Sequence, residues 1–405
     1  MAHLRIRQIE ATIKKLMSVS PLVGLLGHRQ VGKTTVLEKL CKDYYVLDIK
    51  KESDLVNLDP DQYIKERAGH WVGFDECQSV PTLFPSLKEW VRKNKKPGQF
   101  ILSGSVKFTS REQIKESLAG RIMTTELLPL SLVELEQEPK TEHLQKLIDA
   151  KDLISFIGQN PLEPQKIKKF HSRLPQYFEQ GGLPGICLIR DQKLRDSKIR
   201  EQLLTILDRD LRKVKNILVP YNDILRLVEA LARTQGLPID MTQLKKETGL
   251  STPTIKKIIY TLEAVYIIRI INIEGSTKGQ TVFFEDQGER RFLIGENPSL
   301  TENLSHFLFT NLRPQLEYQS SENIKYFQYR TRGGAFVPFC ISKNQKTIGF
   351  IPLENPEDYE HKLSAANSFL GAYNNAKIIF VRNEKSNLKV IRPYILLAPV
   401  GYLIS

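Results

Sequence analysis

Gly27-His28-Arg29-Gln30-Val31-Gly32-Lys33-Thr34 decides the reading of this chain. The run meets every position of the pattern G-x-x-x-x-G-K-[ST], in which glycines let backbone N–H groups turn inward around phosphate oxygens. Glycine holds those backbone angles because it has no Cβ to clash. Lys33 would set a positive point charge against the β- and γ-phosphates, and the Thr34 hydroxyl would reach a Mg²⁺ ion. The flanking residues support the motif. Pro21-Leu22-Val23-Gly24-Leu25-Leu26 reads as a short buried strand feeding the loop, and Thr34-Thr35-Val36-Leu37-Glu38-Lys39-Leu40 as a helix whose N-terminus faces the anion. Gly27, His28, Arg29, Gln30, Val31, Gly32, Lys33, Thr34 and Thr35 are therefore the expected nucleotide-binding residues, with ATP as ligand and Mg²⁺ as cofactor.

A nucleoside triphosphate site also needs an acidic pair at the end of a second buried strand, and Trp71-Val72-Gly73-Phe74-Asp75-Glu76 supplies it about forty residues downstream. Asp75 would hold the Mg²⁺ ion with Thr34, and Glu76 would polarise the attacking water as a general base. In isolation the same pair would read as solvated carboxylates. A third strand, Gln99-Phe100-Ile101-Leu102, ends in Ser103-Gly104-Ser105. Ser103 would lie beside the acidic pair, in reach of the γ-phosphate or the water; on residue type alone it is equally a strand-to-loop turn. Arg111 to Arg121 then reads as a short helix stopped by Gly120, which leaves Arg121 at its end.

Taken in order, Asp75-Glu76-Cys77-Gln78, Gly104-Ser105, Ala119-Gly120-Arg121 and Pro129-Leu130-Ser131 resemble the AAA-type P-loop ATPases of archaea and bacteria, in which Asp-Glu-x-Gln, Gly-Ser, Ala-Gly-Arg and Pro-Leu-Ser recur in this sequence. The resemblance implies ATP hydrolysis, with Arg121 as an arginine finger acting on a neighbouring subunit of a homo-oligomer. The alternative for Arg121 is an exposed surface ion pair. Gly181-Gly182-Leu183-Pro184-Gly185, and the later helix ending in Asp208-Arg209-Asp210, resemble the segment after the ATPase module in the same family. Residue chemistry alone gives a helix-connecting turn and a charged face.

The 405 residues are 41% hydrophobic and 26% charged, ordinary for a globular chain of two or three domains. The formal charge of +13 favours an acidic partner such as nucleic acid. Cys41, Cys77, Cys187 and Cys340 are scattered without metal-ligand spacing and give no disulfide framework, which fits a reducing cytoplasm. Met1 to Glu10 carries charges throughout, so it reads as a helix and not as a secretory signal. Tyr394 to Leu403 is apolar but too short and Pro-broken to cross a bilayer; a buried terminal strand is expected, with no membrane association.

Strand and helix signals alternate up to about Glu134, as for a parallel sheet with helices on both faces. The expected organisation is α/β: an AAA-type P-loop ATPase domain over 1–135, a helical linker over 136–222, a winged helix over 223–285 and a small nuclease-like α/β domain over 286–405. Ile224 to Ala232 has apolar residues at helical spacing. A helix ending at Gly249 and another starting near Ser251 or Thr252 would form a helix-turn-helix. The second would carry Thr252, Thr254, Lys256, Lys257 and Tyr260, the candidate contacts to duplex DNA through phosphates and base edges. Val265 to Ile271 and Thr281 to Phe284 read as the wing hairpin. The same fold also serves to pack against an ATPase or another subunit.

In the related ATPases the last region resembles a PD-(D/E)XK nuclease, with Glu-Val-Asp-Phe on one strand and Glu-Val-Lys on the next. Here the strands read Phe336-Val337-Pro338-Phe339 and Gly349-Phe350-Ile351-Pro352-Leu353-Glu354, so Pro338 stands where the central carboxylate would be. Glu302 and Glu354 remain, but metal-assisted hydrolysis needs convergent carboxylates, and no nuclease activity is expected. Three functions compete: an ATPase coupled to DNA, a signalling-type NTPase switch that controls oligomerisation without DNA, and an ATP-binding scaffold without turnover.

Overall fold

The computed structural model describes residues 4–108, 116–319, 323–384 and 387–405. Five strands, Leu22–Leu26 (β1), Asp43–Val46 (β2), Val72–Asp75 (β3), Phe100–Gly104 (β4) and Ile122–Glu126 (β5), form a parallel sheet in the order β2-β3-β4-β1-β5. The inner strands β1, β3 and β4 are buried along their whole length. Strands covered on both faces read as continuous apolar runs, which is why these three announce themselves in the sequence. The edge strands do not: β2 is Asp-Tyr-Tyr-Val and β5 is Ile-Met-Thr-Thr-Glu, both partly exposed. Most of the helix expected over Arg111 to Arg121 lies outside the described residues.

The chain start differs from expectation. The first helix is Glu10–Met17, and Arg7 ahead of it is non-helical and buried. Beyond the sheet, helices His143–Asp149, Leu153–Gln159 and Pro164–Gln180 pack under the C-terminal half, where Leu144, Phe156 and Phe170 share a core with Phe307, Leu396 and Tyr402. Helix Gln192–Leu204 runs into a π-helical turn, Thr205–Asp210.

Tyr221–Arg233, Met241–Thr248 and Thr252–Ala264 then follow as three helices. Gly249, at φ +71°, ends the second, and the Ser251 side chain caps the third by accepting the Thr254 N–H. The glycine turn and the start of the helix bearing Lys256 and Lys257 thus fall where the sequence puts them. The strand expected from Val265 begins instead at Ile268. The Ala264 carbonyl accepts the Lys107 N–H at 2.9 Å and Tyr266 adopts φ +62°, so the chain is still turning at these positions.

Ile268–Glu274 (β6) and Gly279–Phe284 (β7) form the expected hairpin, but it is not freestanding. β6 pairs in parallel with Ile324–Arg330 (β8), and the sheet continues through Phe336–Lys343 (β9), Lys346–Pro352 (β10), Ala376–Arg382 (β11), Lys389–Arg392 (β12) and Ile395–Pro399 (β13). The order is β12-β13-β11-β10-β9-β8-β6-β7. Glu285 and Asp286, where a domain boundary is drawn from the sequence, are both buried. The terminal apolar run is a buried strand only to Pro399; Val400–Leu403 turns into a helix. Among the described residues no helix is long and apolar enough to cross a membrane.

The halves meet at the Gly181-Gly182 turn. Gly182 donates to an Asp286 carboxylate oxygen and its carbonyl accepts the Leu130 N–H, each at 2.7 Å. A Cβ on Gly182 would lie 2.2 Å from the Leu130 oxygen; one on Gly181, at φ +66°, would lie 2.3 Å from Asp286 Oδ1. Gly182→Ala should therefore destabilise the chain by more than about 2 kcal/mol in urea unfolding, because backbone must move. Gly158→Ala, in a helix with open space around its Cβ, should be neutral or mildly stabilising in the same measurement.

Candidate functional site

The phosphate loop follows β1 directly, at the carboxyl end of the parallel strands, where such sheets bind ligands. Gly27 has φ +154°, and a Cβ there would lie 2.4 Å from the Leu127 carbonyl oxygen. Gly32, at φ +100°, opens the helix Lys33–Leu40, with Thr34 and Thr35 exposed in its first turn. Lys33 is 5% exposed and its Nζ donates to the loop's own Gly27 and His28 carbonyls at 3.1 and 2.9 Å. Burial lowers its pKa, and the nearby Glu76 and Asp75 charges oppose that shift.

Thr34 Oγ1 donates to Asp75 Oδ2 at 2.5 Å, so the two expected Mg²⁺ ligands, one from the loop and one from β3, converge. Ser103, at the tip of β4, donates its hydroxyl to the other Asp75 oxygen, which also accepts the Glu76 N–H at 3.0 Å. Glu76 adopts φ +51°, and its carboxylate accepts from the Gln78 amide and, at 3.3 Å, from the Ser105 hydroxyl. Asp-Glu-x-Gln and Gly-Ser are thus one hydrogen-bonded unit.

Glu76, Gln78 and Ser105 line a cavity of about 490 Å³ that also takes in Arg29, Arg209 and Asp210. Arg29 of the loop and Arg209 of the π-helical turn both pair with Asp210, at 2.9 and 3.0 Å. Residue chemistry alone marks Asp208-Arg209-Asp210 as a charged face, and the family resemblance singles it out without placing it at the loop. What brings this segment to the loop is the Arg29–Asp210 pair; the π-turn that carries it, a local widening of the helix common at functional sites, is invisible to residue periodicity.

Two further anchors hold the loop. Arg7 is 6% exposed; it donates to the Val31 carbonyl at 2.7 Å and to the Leu128 carbonyl at 2.5 Å, and lies 3.2 Å from Glu134. Glu134 and Ser131 form a capping box on the helix Leu132–Leu135, which gives Pro-Leu-Ser its physical role. A lone arginine ahead of a helix carries no pattern that would single it out. On the other side, the Gln30 side chain rests against Gly185.

His28, 1% exposed, lies with Nε2 3.0 Å from Glu289 Oε2, on the helix Gln287–Ile294. Burial opposes its protonation, but the Glu289 carboxylate outweighs this and raises its pKa. Glu289 also accepts from the Gln202 amide at 2.8 Å. Asp286 caps that helix, and burial followed by the Glu289 charge pushes its pKa up to about 6.

The remaining expected residues lie elsewhere. β1 and β5 run in parallel register from Leu22↔Ile122 to Leu26↔Glu126, so Arg121, just before β5, stands at the opposite end of the sheet, about 16 Å of strand from the loop. Its guanidinium donates to the Ala119 carbonyl at 3.0 Å. Lys256, Lys257 and Tyr260 are exposed on one helix, with Thr252 and Thr254 half-buried at its start. Lys257 Nζ donates to the Asn216 carbonyl at 2.5 Å, and the Thr254 hydroxyl lies 2.8 Å from that of Ser251. Glu302, Pro338 and Glu354 do come together around one cavity. Glu302 pairs with Arg290 at 2.9 Å and Pro338 has no ligating side-chain atom. Among the described residues no group of three His, Cys, Asp or Glu side chains is disposed to hold a metal ion.

Asp286 gives this junction a pH signature. Its ordinary pKa is 3.8 and its folded value about 6, so the folded chain holds the proton more tightly than the unfolded chain. Its contribution to stability is complete below about pH 4 and is lost as the pH rises through about 6. The raised His28 pKa acts with the same sign, its contribution fading as the pH rises through the folded value. Asp286→Asn should flatten the decline in stability between about pH 4 and 6 in urea unfolding.

Residues 19–136 match the family model described as an AAA domain. Residues 171–278 match a second, described as a domain of unknown function (DUF8612), which runs from the linker helices into the hairpin. The chain is similar to "Uncharacterized protein Rv2008c" of Mycobacterium tuberculosis, 23% identical over 361 residues that cover 85% of this chain and 73% of that one. It is also similar to "Uncharacterized protein MJ1544" of Methanocaldococcus jannaschii, 25% identical over 393 residues, 91% of this chain and 81% of that one. Among solved structures, the Walker-type ATPase paby2304 of Pyrococcus abyssi aligns over 71% of this chain and 94% of its own, with 13% identity and a TM-score of 0.43. The AAA match contains all five strands of the parallel sheet, the phosphate loop and the Asp75-Glu76 pair, so this part of the chain is similar to an AAA domain and has a parallel α/β fold consistent with a P-loop ATPase.

Proposed function

We propose that the protein is a Mg²⁺-dependent ATPase that couples its nucleotide state to its C-terminal half. The observation that carries this reading is the convergence of Lys33, Thr34, Asp75, Ser103 and Glu76 at one end of the sheet. Thr34 and Asp75 offer hard oxygen ligands, the donor set that suits Mg²⁺, which when bound would neutralise charge on the β- and γ-phosphates. Lys33 would exchange the loop carbonyls for phosphate oxygens. Glu76, oriented by Gln78 and Ser105, would accept the proton of the attacking water. Arg29 and Arg209, tethered by Asp210 at the cavity, would supply positive charge from the same chain. Arg121 stands at the far end of the sheet from its own phosphate loop, which supports a role on a neighbouring copy within a homo-oligomer; the alternative is an exposed structural arginine.

Lys33→Ala should abolish ATP binding, while Glu76→Gln should bind ATP and lose at least about a hundredfold in turnover, read by nucleotide titration and phosphate release. Equal loss of binding in both would overturn these roles, and tight binding without turnover in the parent would leave an ATP-binding scaffold. Arg121→Ala should keep nucleotide affinity, lower turnover, and recover part of it when mixed with Lys33→Ala subunits.

For the partner, the exposed Lys256 and Tyr260 and the charge of +13 support duplex DNA. The Lys257 contact to Asn216 and the pairing of β6 with β8 favour a second reading, a switch that acts on its own assembly. Lysine–phosphate contacts release counterions, so DNA affinity should fall steeply with salt, and Lys256→Glu with Lys257→Glu should weaken binding at every sequence. If the parent shows no salt-sensitive binding while light scattering shows nucleotide-dependent assembly, the switch is the function.

A further inference from the structure

A separate cavity, of about 290 Å³, opens beside the Gly181 turn, between the N-terminal segment at Arg5, the helix Pro164–Gln180 and the residues Cys187 to Arg190. Arg173, Gln176, Tyr177 and Gln180 reach it together because they recur at the three- and four-residue spacing that puts side chains on one face of a helix. Its charge is one-sided: three arginines, Arg5, Arg173 and Arg190, line it against a single carboxylate, Glu136. That carboxylate is already engaged, at 3.1 Å by Arg173 and at 3.6 Å by Lys169.

The other two cations are unanswered. Among the described residues no carboxylate pairs with Arg5 or Arg190. Arg5 is half-buried, and its Nε is buried with no hydrogen-bond partner, so its charge has lost water on one side without gaining an acceptor. Arg190 is exposed. The Cys187 thiol on the wall adds no negative charge, since burial pushes its pKa up to about 12. A carboxylate has two oxygens and fills one guanidinium fork. A phosphoryl group presents three oxygens and carries about −1.5 to −2 charges at neutral pH, which matches guanidinium groups arriving from three separate segments.

We propose that this cavity binds the phosphoryl group of a small molecule, with Arg5 and Arg190 as its unshared cations and Arg173 shared between it and Glu136. No residue of the phosphate loop lines it, so the site is distinct from the nucleotide site and does not depend on ATP turnover. It adjoins the loop through the chain: Arg5 stands just ahead of Arg7, whose guanidinium holds the Val31 carbonyl at 2.7 Å.

The phosphate loop would also attract phosphate, so the titrations use the full chain carrying Lys33→Ala. In calorimetry at constant ionic strength, inorganic phosphate and glycerol 3-phosphate are the probes and acetate is the control. The tighter of the two probes identifies free phosphate or a phosphorylated metabolite as the source. That probe should bind at least about tenfold more tightly than acetate. Arg5→Gln and Arg190→Gln should each weaken it by about fivefold or more; Arg190→Gln is an exposed change and decides alone if Arg5→Gln fails to fold. No binding of either probe up to about 10 mM, or affinity no better than that of acetate, would overturn the proposal. Unchanged affinity in Arg190→Gln would equally do so, since the binding would then belong to the phosphate loop.

Discussion

The contact between His28 of the phosphate loop and Glu289 of the C-terminal half is the constraint on which the rest of the structure turns. Both side chains are buried, and the Glu289 carboxylate beside His28 favours protonation of the imidazole that burial alone would oppose. A phosphate loop is usually shaped by its own glycines and helix. Here its second residue is also held by a carboxylate from another part of the chain, while Arg7 holds Val31 from the N-terminal side. Any adjustment of the loop backbone around an anion therefore changes the distance between His28 and the carboxylate of Glu289, a residue that Gln202 and Asp286 contact in turn.

The residues just after β7 concentrate this dependence. Glu285 faces Arg269 and Arg313 at 2.9 and 2.7 Å, and Arg269 also pairs with Glu126 at the end of β5. Burial would raise the Glu285 pKa, but the two guanidinium groups outweigh it and hold the carboxyl at about 2. Its neighbour Asp286 faces Glu289 and moves the other way. Consecutive acids thus take opposite electrostatic roles because the backbone turns one toward a cationic cluster and the other toward the Gly-Gly turn. One short segment therefore joins the edge of the five-stranded sheet, the phosphate loop and the eight-stranded sheet.

How much of this is legible in the sequence follows from what each feature costs in residue types. The phosphate loop, the inner strands and the helix-turn-helix glycine can be read because few residues satisfy their geometry: Gly27 and Gly32 at positive φ, Gly249 at a helix end, continuous apolar runs in β1, β3 and β4. The edge strands β2 and β5 escape because half-exposed strands keep polar residues. Arg7 escapes for a different reason. An arginine on the surface and an arginine buried against a carbonyl look identical until tertiary structure closes over one of them. The β6–β8 pairing is equally silent, since a hairpin has the same alternation whether its outer edge meets water or another strand.

The distance along the chain between His28 and Glu289 has a consequence for biosynthesis. About 260 residues must be polymerised after the loop before its carboxylate partner exists, which at roughly 5–20 residues per second leaves it incomplete for on the order of 10–50 s. β6 likewise waits for β8, a parallel pairing that forms only after the intervening helices have been made. The N-terminal sheet can collapse early around its own apolar strands, but the His28–Glu289 contact of its phosphate loop forms only when the last third of the chain arrives. A nascent or truncated chain would carry the motif without its full set of anchors.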